Sequence, residues 1–200
     1  MRLFLAGVVT IGMAFAAGAE EIESAYTDIN AENDCTVFAM GQDGEDWSNL
    51  VCSGYKGYPV FIYYSDARES LFYGFPQQGD LAPAWESFSS FNEAGPKVEW
   101  RISRDGDRSV PFATIHRWFV SGPESVDEET EVLVVERVGQ IGEWEGCAVG
   151  YVVATGNPGA NEKARRIADN QARDFACGAD QPVIDAGDVP VPDFTRADNG

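Results

Sequence analysis

The chain has 200 residues, enough for one domain with a sizeable core, and its 33 Asp and Glu against 14 Lys and Arg give a formal net charge of −19. That field repels phosphate backbones and anionic headgroups, which excludes nucleic-acid binding and attachment to membranes through basic patches. An acidic surface of this kind keeps an exported protein dispersed.

The opening stretch, MRLFLAGVVTIGMAFAAGA, has one basic residue, Arg2, an apolar run from Leu3 to Ala17, and the small-residue site Ala17-Gly18-Ala19 before the acidic Glu20. This is the pattern of a secretory signal peptide over residues 1–19, with cleavage expected after Ala19. The run stops short of the roughly 20 apolar residues a spanning helix needs, and no later run reaches that length. A lipoprotein would carry a cysteine just behind the apolar run, whereas the first is Cys35. The mature chain is therefore expected to be periplasmic or secreted, without a membrane span.

Cys35, Cys52, Cys147 and Cys177 enter an oxidising compartment, where thiols pair and persist. Residues 35–39 and 49–54 flank the polar loop GQDGEDW and read as a hairpin, which sets Cys35 opposite Cys52. At a non-hydrogen-bonded pair their Cα atoms would lie about 4.5–5.5 Å apart, within disulfide range. The other pair follows from length. A strand over 147–154 runs roughly 25 Å and a helix over 158–176 returns roughly 27 Å, so Cys147 and Cys177 meet.

Further strands are expected at 59–65, 69–75, 97–103, 111–120, 131–138 and 147–154, short runs rich in Val, Ile, Tyr, Phe and Trp between Gly, Pro, Asp and Ser clusters. A short helix is expected at 83–91, with Trp85, Phe88 and Phe91 inward. Over 158–176, Asn157 can cap a helix and Pro158 suits its first position. Ala160, Ala164, Ile167, Ala168, Ala172 and Phe175 then form one face, with Glu162–Arg166 and Asp169–Arg173 at i,i+4 on the other. Residues 179–200, with Pro182, Pro190 and Pro192 among acidic and small residues, read as a disordered or loosely draped tail. The expected fold is α+β: one domain over 20–178, mainly an antiparallel meander, with the helix packed on one face and two disulfides.

Few residues invite chemistry. His116, the only histidine, falls by alternation on the strand face of Phe112, Thr114 and Trp118, opposite Val98, Trp100 and Ile102. It has no second histidine for a metal and no Ser or Cys nucleophile within a recognisable motif, so it reads as a packed core residue. The acidic turns at 43–46 and 105–107 lack the spacing of a calcium loop. Tyr55, Tyr58, Tyr63, Tyr64, Phe72, Tyr73, Phe75, Trp85 and Trp100 crowd the first half beside the GYKGYP turn, and rings so placed would suit a glycan or peptide groove as well as a core. Arg165, Arg166 and Arg173 make a basic helix face neutralised by Glu162, Asp169 and Asp174, as on a solvated surface. No catalytic, cofactor-binding or metal-binding residue is assigned; the named site residues are the four cysteines.

The segments GYKGYPVFIYYSD (54–66), PFATIHRWF (111–119) and the Asn157–Cys177 run with its Ala-Arg-Arg-Ile-Ala-Asp core resemble a family of small uncharacterised exported proteins of Gram-negative bacteria. The resemblance implies an exported, periplasmic domain with paired cysteines and carries no activity. Export, a stapled antiparallel domain and no recognisable triad, metal cluster or phosphate loop in the sequence lead to a non-catalytic binding or interaction module of the cell envelope. Its expected partner is an envelope protein, a glycan or a small ligand. The alternatives are an envelope-polymer hydrolase using paired carboxylates and an envelope-stability protein with no small ligand.

Overall fold

The structure is a computed structural model that describes residues 21–77, 84–122, 128–142 and 145–197. The expected signal peptide lies outside the described residues. Among the described residues twelve strands and one α-helix form three layers. The central layer is a six-stranded sheet in the order β1-β7-β8-β9-β10-β11, built from β1 Glu21–Asp28, β7 Asn92–Asp105, β8 Arg108–Ser121, β9 Glu129–Arg137, β10 Cys147–Val153 and β11 Val183–Asp185. It is antiparallel apart from the β10–β11 pair.

A four-stranded meander of β2 Cys35–Met40, β3 Trp47–Ser53, β4 Pro59–Ser65 and β5 Arg68–Tyr73 covers one face of that sheet. Between the two sheets lie Leu50, Val60, Ile62, Leu71 and Tyr73 from the meander against Val98, Trp100, Ile102, Trp118, Val132 and Val134 from the larger sheet. The antiparallel sheets with one helix on a face match the expected α+β architecture, with the strands shared between two facing sheets. β6 Trp85–Phe88 and β12 Phe194–Ala197 pair with each other in a separate two-stranded piece.

The helix α1, Ala160–Gln171, lies on the other face. Ala160, Ala164, Ala168 and Ala172 are buried on Ile115, Leu133, Val135 and Val149. Small side chains bring the helix close. A Cβ at Gly150 would stand 2.8 Å from Ile167 Cγ2 and 2.9 Å from the Val183 oxygen. Every residue of β10 is buried, as a strand covered on both faces requires. Gly159, rather than Asn157, occupies the helix N-cap. The Asn157 side chain instead donates to the Val153 carbonyl at 2.9 Å.

Both disulfides join the expected partners. Cys35 and Cys52 stand directly opposite in the β2–β3 pair with Cα atoms 4.1 Å apart, and Cys147 and Cys177 bridge the start of β10 to the turn after α1 at 5.9 Å.

Two expected elements differ. Trp85–Phe88 is a strand, not a helix, because a nine-residue segment gains little from helix propensity and this one finds a strand partner in β12. The segment expected as a disordered tail is, over its described part, docked on the body: β11 joins β10, and β12 joins β6. Its anchors are non-local, an aromatic contact and an ion pair to residues about a hundred positions earlier.

Candidate functional site

In β6 the alternation of a strand turns Glu86 and Phe88 to the same side. Phe88 is fully buried. Glu86 Oε2 accepts the Ala148 N–H at 2.9 Å and Oε1 accepts Arg196 Nη1 at 2.9 Å, so the carboxylate ties β6 to β10 and to β12. Ala148 borders a register shift in the β9–β10 pair.

Glu136 of β9 pairs in register with Thr114 on one side and Ala148 on the other. It is 3% exposed, and burial, reinforced by the charge of Glu86, drives its carboxyl well above the usual range. Burial thus favours the protonated, uncharged form of Glu136. The Tyr151 hydroxyl is likewise pushed up, by burial first and then by Glu86 and Glu136. The Thr114 hydroxyl beside them is buried without a hydrogen-bond partner.

Of these groups, Glu86 and Tyr151 line a cleft of about 440 Å³ between β10 and the 178–196 segment. Its walls include Tyr151, Phe194, Pro182 and Ile184, with Glu86, Asp180, Gln181, Asp193 and Arg196 as polar groups. The Tyr151 and Phe194 rings have centroids 4.4 Å apart. Apolar walls with a few convergent polar groups at this volume match the ligand pockets of globular proteins. Glu136 is not among the residues that line it.

His116 is buried between the sheets, with Nδ1 2.6 Å from the Tyr73 hydroxyl and Nε2 on the Gly95 carbonyl. Val98 stands opposite, as expected, but Phe112 does not share its face. The β7–β8 register passes from Arg101↔Ala113 to Ile102↔Pro111, leaving Phe112 as the extra residue of a bulge and turning it toward α1.

The aromatic crowd of the first half makes core rather than a groove. Tyr73 and Trp100 are buried edge to face, Tyr55 leans on Trp100, and Tyr58 packs on Phe75 while donating to Gln140. Tyr63, Phe61 and Phe72 form a separate cluster with Trp85 packed against it. The rings that line the cleft, Tyr151 and Phe194, come from the second half. The sequence signal for Phe194 is its alternation with arginine in Phe194-Thr195-Arg196, masked by Pro190 and Pro192 just before it.

The basic helix face is not simply solvated. Arg165 grips Glu99 through Nε at 2.7 Å and Nη2 at 3.0 Å, Arg101 grips Asp169 through Nε at 2.8 Å and Nη2 at 2.7 Å, and Arg173 stacks over Phe112. Burial alone would raise Glu99, but hydrogen bonds from Arg165 and Ser24 hold it below its ordinary value. This network fastens β1, β7 and α1 together. Asp43 and Gly44 adopt positive φ in a turn, and among the described residues no three His, Cys, Asp or Glu side chains are placed to hold a metal ion.

Comparison with known proteins yields no relative: no family model matches the chain, and no match is found among curated proteins or among solved structures. Among the described residues no helix is long and apolar enough to cross a membrane.

Proposed function

We propose that the protein is an exported, periplasmic binding module of the cell envelope, non-catalytic, whose ligand occupies the cleft between β10 and the 178–196 segment. The observation that carries this reading is the cleft itself, with the Tyr151 and Phe194 rings and the Glu86–Arg196 pair converging on one space. Two disulfides support placement in an oxidising compartment.

A hydrolase reading draws on the neighbouring carboxylates Glu86 and Glu136, whose environments differ as those of an acid and a base do. Binding is favoured over catalysis because both Glu86 oxygens are engaged, by Ala148 and Arg196, and Glu136 does not line the cleft. A general acid or base must reach its substrate within hydrogen-bond distance.

The test is a thermal-shift screen of the purified mature protein against glycans, short peptides and small metabolites, since a ligand of the native state raises its melting temperature. A hit should lose its shift in Tyr151→Ala and be recovered chemically unchanged. Turnover of the hit would establish the hydrolase, and a shift indifferent to Tyr151→Ala would move the site elsewhere.

A further inference from the structure

β12 is a strand laid on an otherwise open edge. Phe194, Thr195, Arg196 and Ala197 stand opposite Phe88, Ser87, Glu86 and Trp85, and the pairing continues through Ser89 N–H to the Asp193 carbonyl at 2.8 Å. Phe194 sets its ring 5.0 Å from Phe88 and 4.4 Å from Tyr151. Two residues on, Arg196 reaches the Glu86 carboxylate. The strand is four residues long with Thr195, Arg196 and Ala197 exposed, and the segment leading to it is anchored by the three-residue β11, whose Val183 and Ile184 are exposed. Elements held by so few buried contacts open at low free energy. On its other side β6 reaches β5 through side chains, Glu86 N–H to Ser70 Oγ at 3.0 Å and Ser87 Oγ to the Glu69 carbonyl.

We propose that the edge of β6 is an acceptor site for an extended peptide of a partner protein bearing an aromatic residue and, two positions on, an arginine, and that Phe194–Arg196 is its occupant in cis. Main-chain pairing with a bare strand edge supplies affinity, and pockets for alternate side chains supply selection. The aromatic position is set by the buried Phe88 and the Tyr151 ring. The arginine position is set by Glu86, a largely buried carboxylate that is costly to leave unpaired and whose neighbour Glu136 adds no cation. A partner peptide carrying positive charge is favoured over the same strand from a second copy, because two chains of net charge −19 repel. The inference rests on reading the cleft as a binding site and adds what class of partner it takes: when the cis strand leaves, the cleft and the β6 edge open as one groove.

The test uses the purified protein with both disulfides intact and a fluorescent peptide of residues 189–197, VPVPDFTRA. A Phe194→Ala/Arg196→Ala double variant weakens the cis strand. It should bind the peptide saturably and at least about tenfold more tightly than the unaltered protein, whose own strand competes at high effective concentration. A peptide with both Phe and Arg replaced by Ala should not bind, and adding Glu86→Gln to the double variant should weaken binding of the parent peptide. No binding to a double variant that retains its circular dichroism, or equal binding of the Ala peptide, would overturn the proposal. A concentration-dependent dimer of the unaltered protein that the peptide dissolves would reassign the edge to a second copy. Should the double variant fail to fold, hydrogen exchange on the unaltered protein decides: excess peptide should speed exchange at 194–197 and leave β8 and β9 unchanged, and an unchanged rate at 194–197 would overturn it. A small ligand that shifts the melting temperature through Tyr151 while the peptide fails everywhere would sink this inference and spare the reading of the cleft.

Discussion

The Tyr73 hydroxyl lies 2.6 Å from Nδ1 of His116, and the partner of the other ring nitrogen decides which of the two donates. Nε2 faces the Gly95 carbonyl, which can only accept, so Nε2 carries the proton and Nδ1 receives the Tyr73 hydrogen bond. Burial pulls the imidazole down to about 4, against the small opposing pull of the Gly95 bond, so it is neutral at physiological pH. The sole histidine is a structural pillar between the two sheets. His116→Ala is expected to cost on the order of 3 kcal/mol, combining an emptied site with a stranded tyrosine hydroxyl. Tyr73→Phe should cost about 1–3 kcal/mol by leaving Nδ1 unsatisfied. Urea denaturation followed by tryptophan fluorescence measures both, and a His116→Ala protein as stable as its parent would contradict the assignment.

Glu69 and His116 oppose each other in pH dependence. Burial raises Glu69 from 4.5 to about 7 despite hydrogen bonds from the Ala94 N–H and the Tyr64 hydroxyl. The folded chain then holds a proton that the unfolded chain releases, and the stability this contributes is full below about pH 4.5 and lost as the pH rises to about 7. His116 contributes stability that is full above 6.5 and lost as the pH falls to about 4. Glu69→Gln keeps an acceptor for Ala94 and removes the first slope. The variant should therefore gain on the unaltered protein by about 3 kcal/mol as the pH rises through the Glu69 range, read from urea midpoints at successive pH values. A stability difference that stays flat with pH would contradict a proton on Glu69.

At Gly150 the sheet lies close under α1, with Ile167 Cγ2 2.8 Å from where a Cβ would stand. Gly150→Ala should destabilise by about 1–3 kcal/mol through overpacking. Adding Ile167→Ala relieves only the clash with Cγ2, because the Val183 oxygen stays at 2.9 Å from the new methyl. The double variant should show less overpacking penalty than the sum of the two single changes, and full additivity in thermal melts would place the helix farther from β10.

Tryptic mapping of unreduced protein should give one peptide looped by an internal Cys35–Cys52 bridge, since no Lys or Arg separates the two, and a cross-link between the separate peptides of Cys147 and Cys177. Cys147→Ser/Cys177→Ser removes a bridge closing a sequence separation of 30 residues. It should fold and lose about 3–4 kcal/mol, since the bridge mainly restricts the unfolded chain and the alanine face still packs. A double variant with an unchanged melting temperature would mean that the bridge does not constrain the unfolded chain.

The parts of the fold that were legible in the sequence are those dictated locally. β4 begins and ends where the apolar run 59–65 does, and the alanine face of α1 meets the sheet as its spacing requires. Both disulfides followed from hairpin register and from strand and helix lengths. What stayed hidden depends on distant partners. β1, EIESAYTD, looks polar, yet Ser24 and Thr27 are held by Glu99 and by the Trp100 indole across the β1–β7 pair. The bulge at Phe112 inverts the face of one residue and cannot be seen in an alternation count. The cleft eluded the sequence for the same reason. Phe194 and Arg196 acquire their meaning from Phe88 and Glu86, and nothing near them in the chain announces either partner.

The Cys147–Cys177 bridge also decides where mechanical load travels. Residues 147–177 form a covalently closed ring that contains α1, and the segment carrying β11 and β12 leaves the ring at Cys177. Tension applied to that segment by a bound partner meets the β10–β11 pairing first, and what passes β11 crosses the sulfurs to Cys147 at the start of β10, the strand buried on both faces. The helix lies in the bypassed arc and bears none of it, so the segment can be tugged free of β6 while the helical layer stays seated.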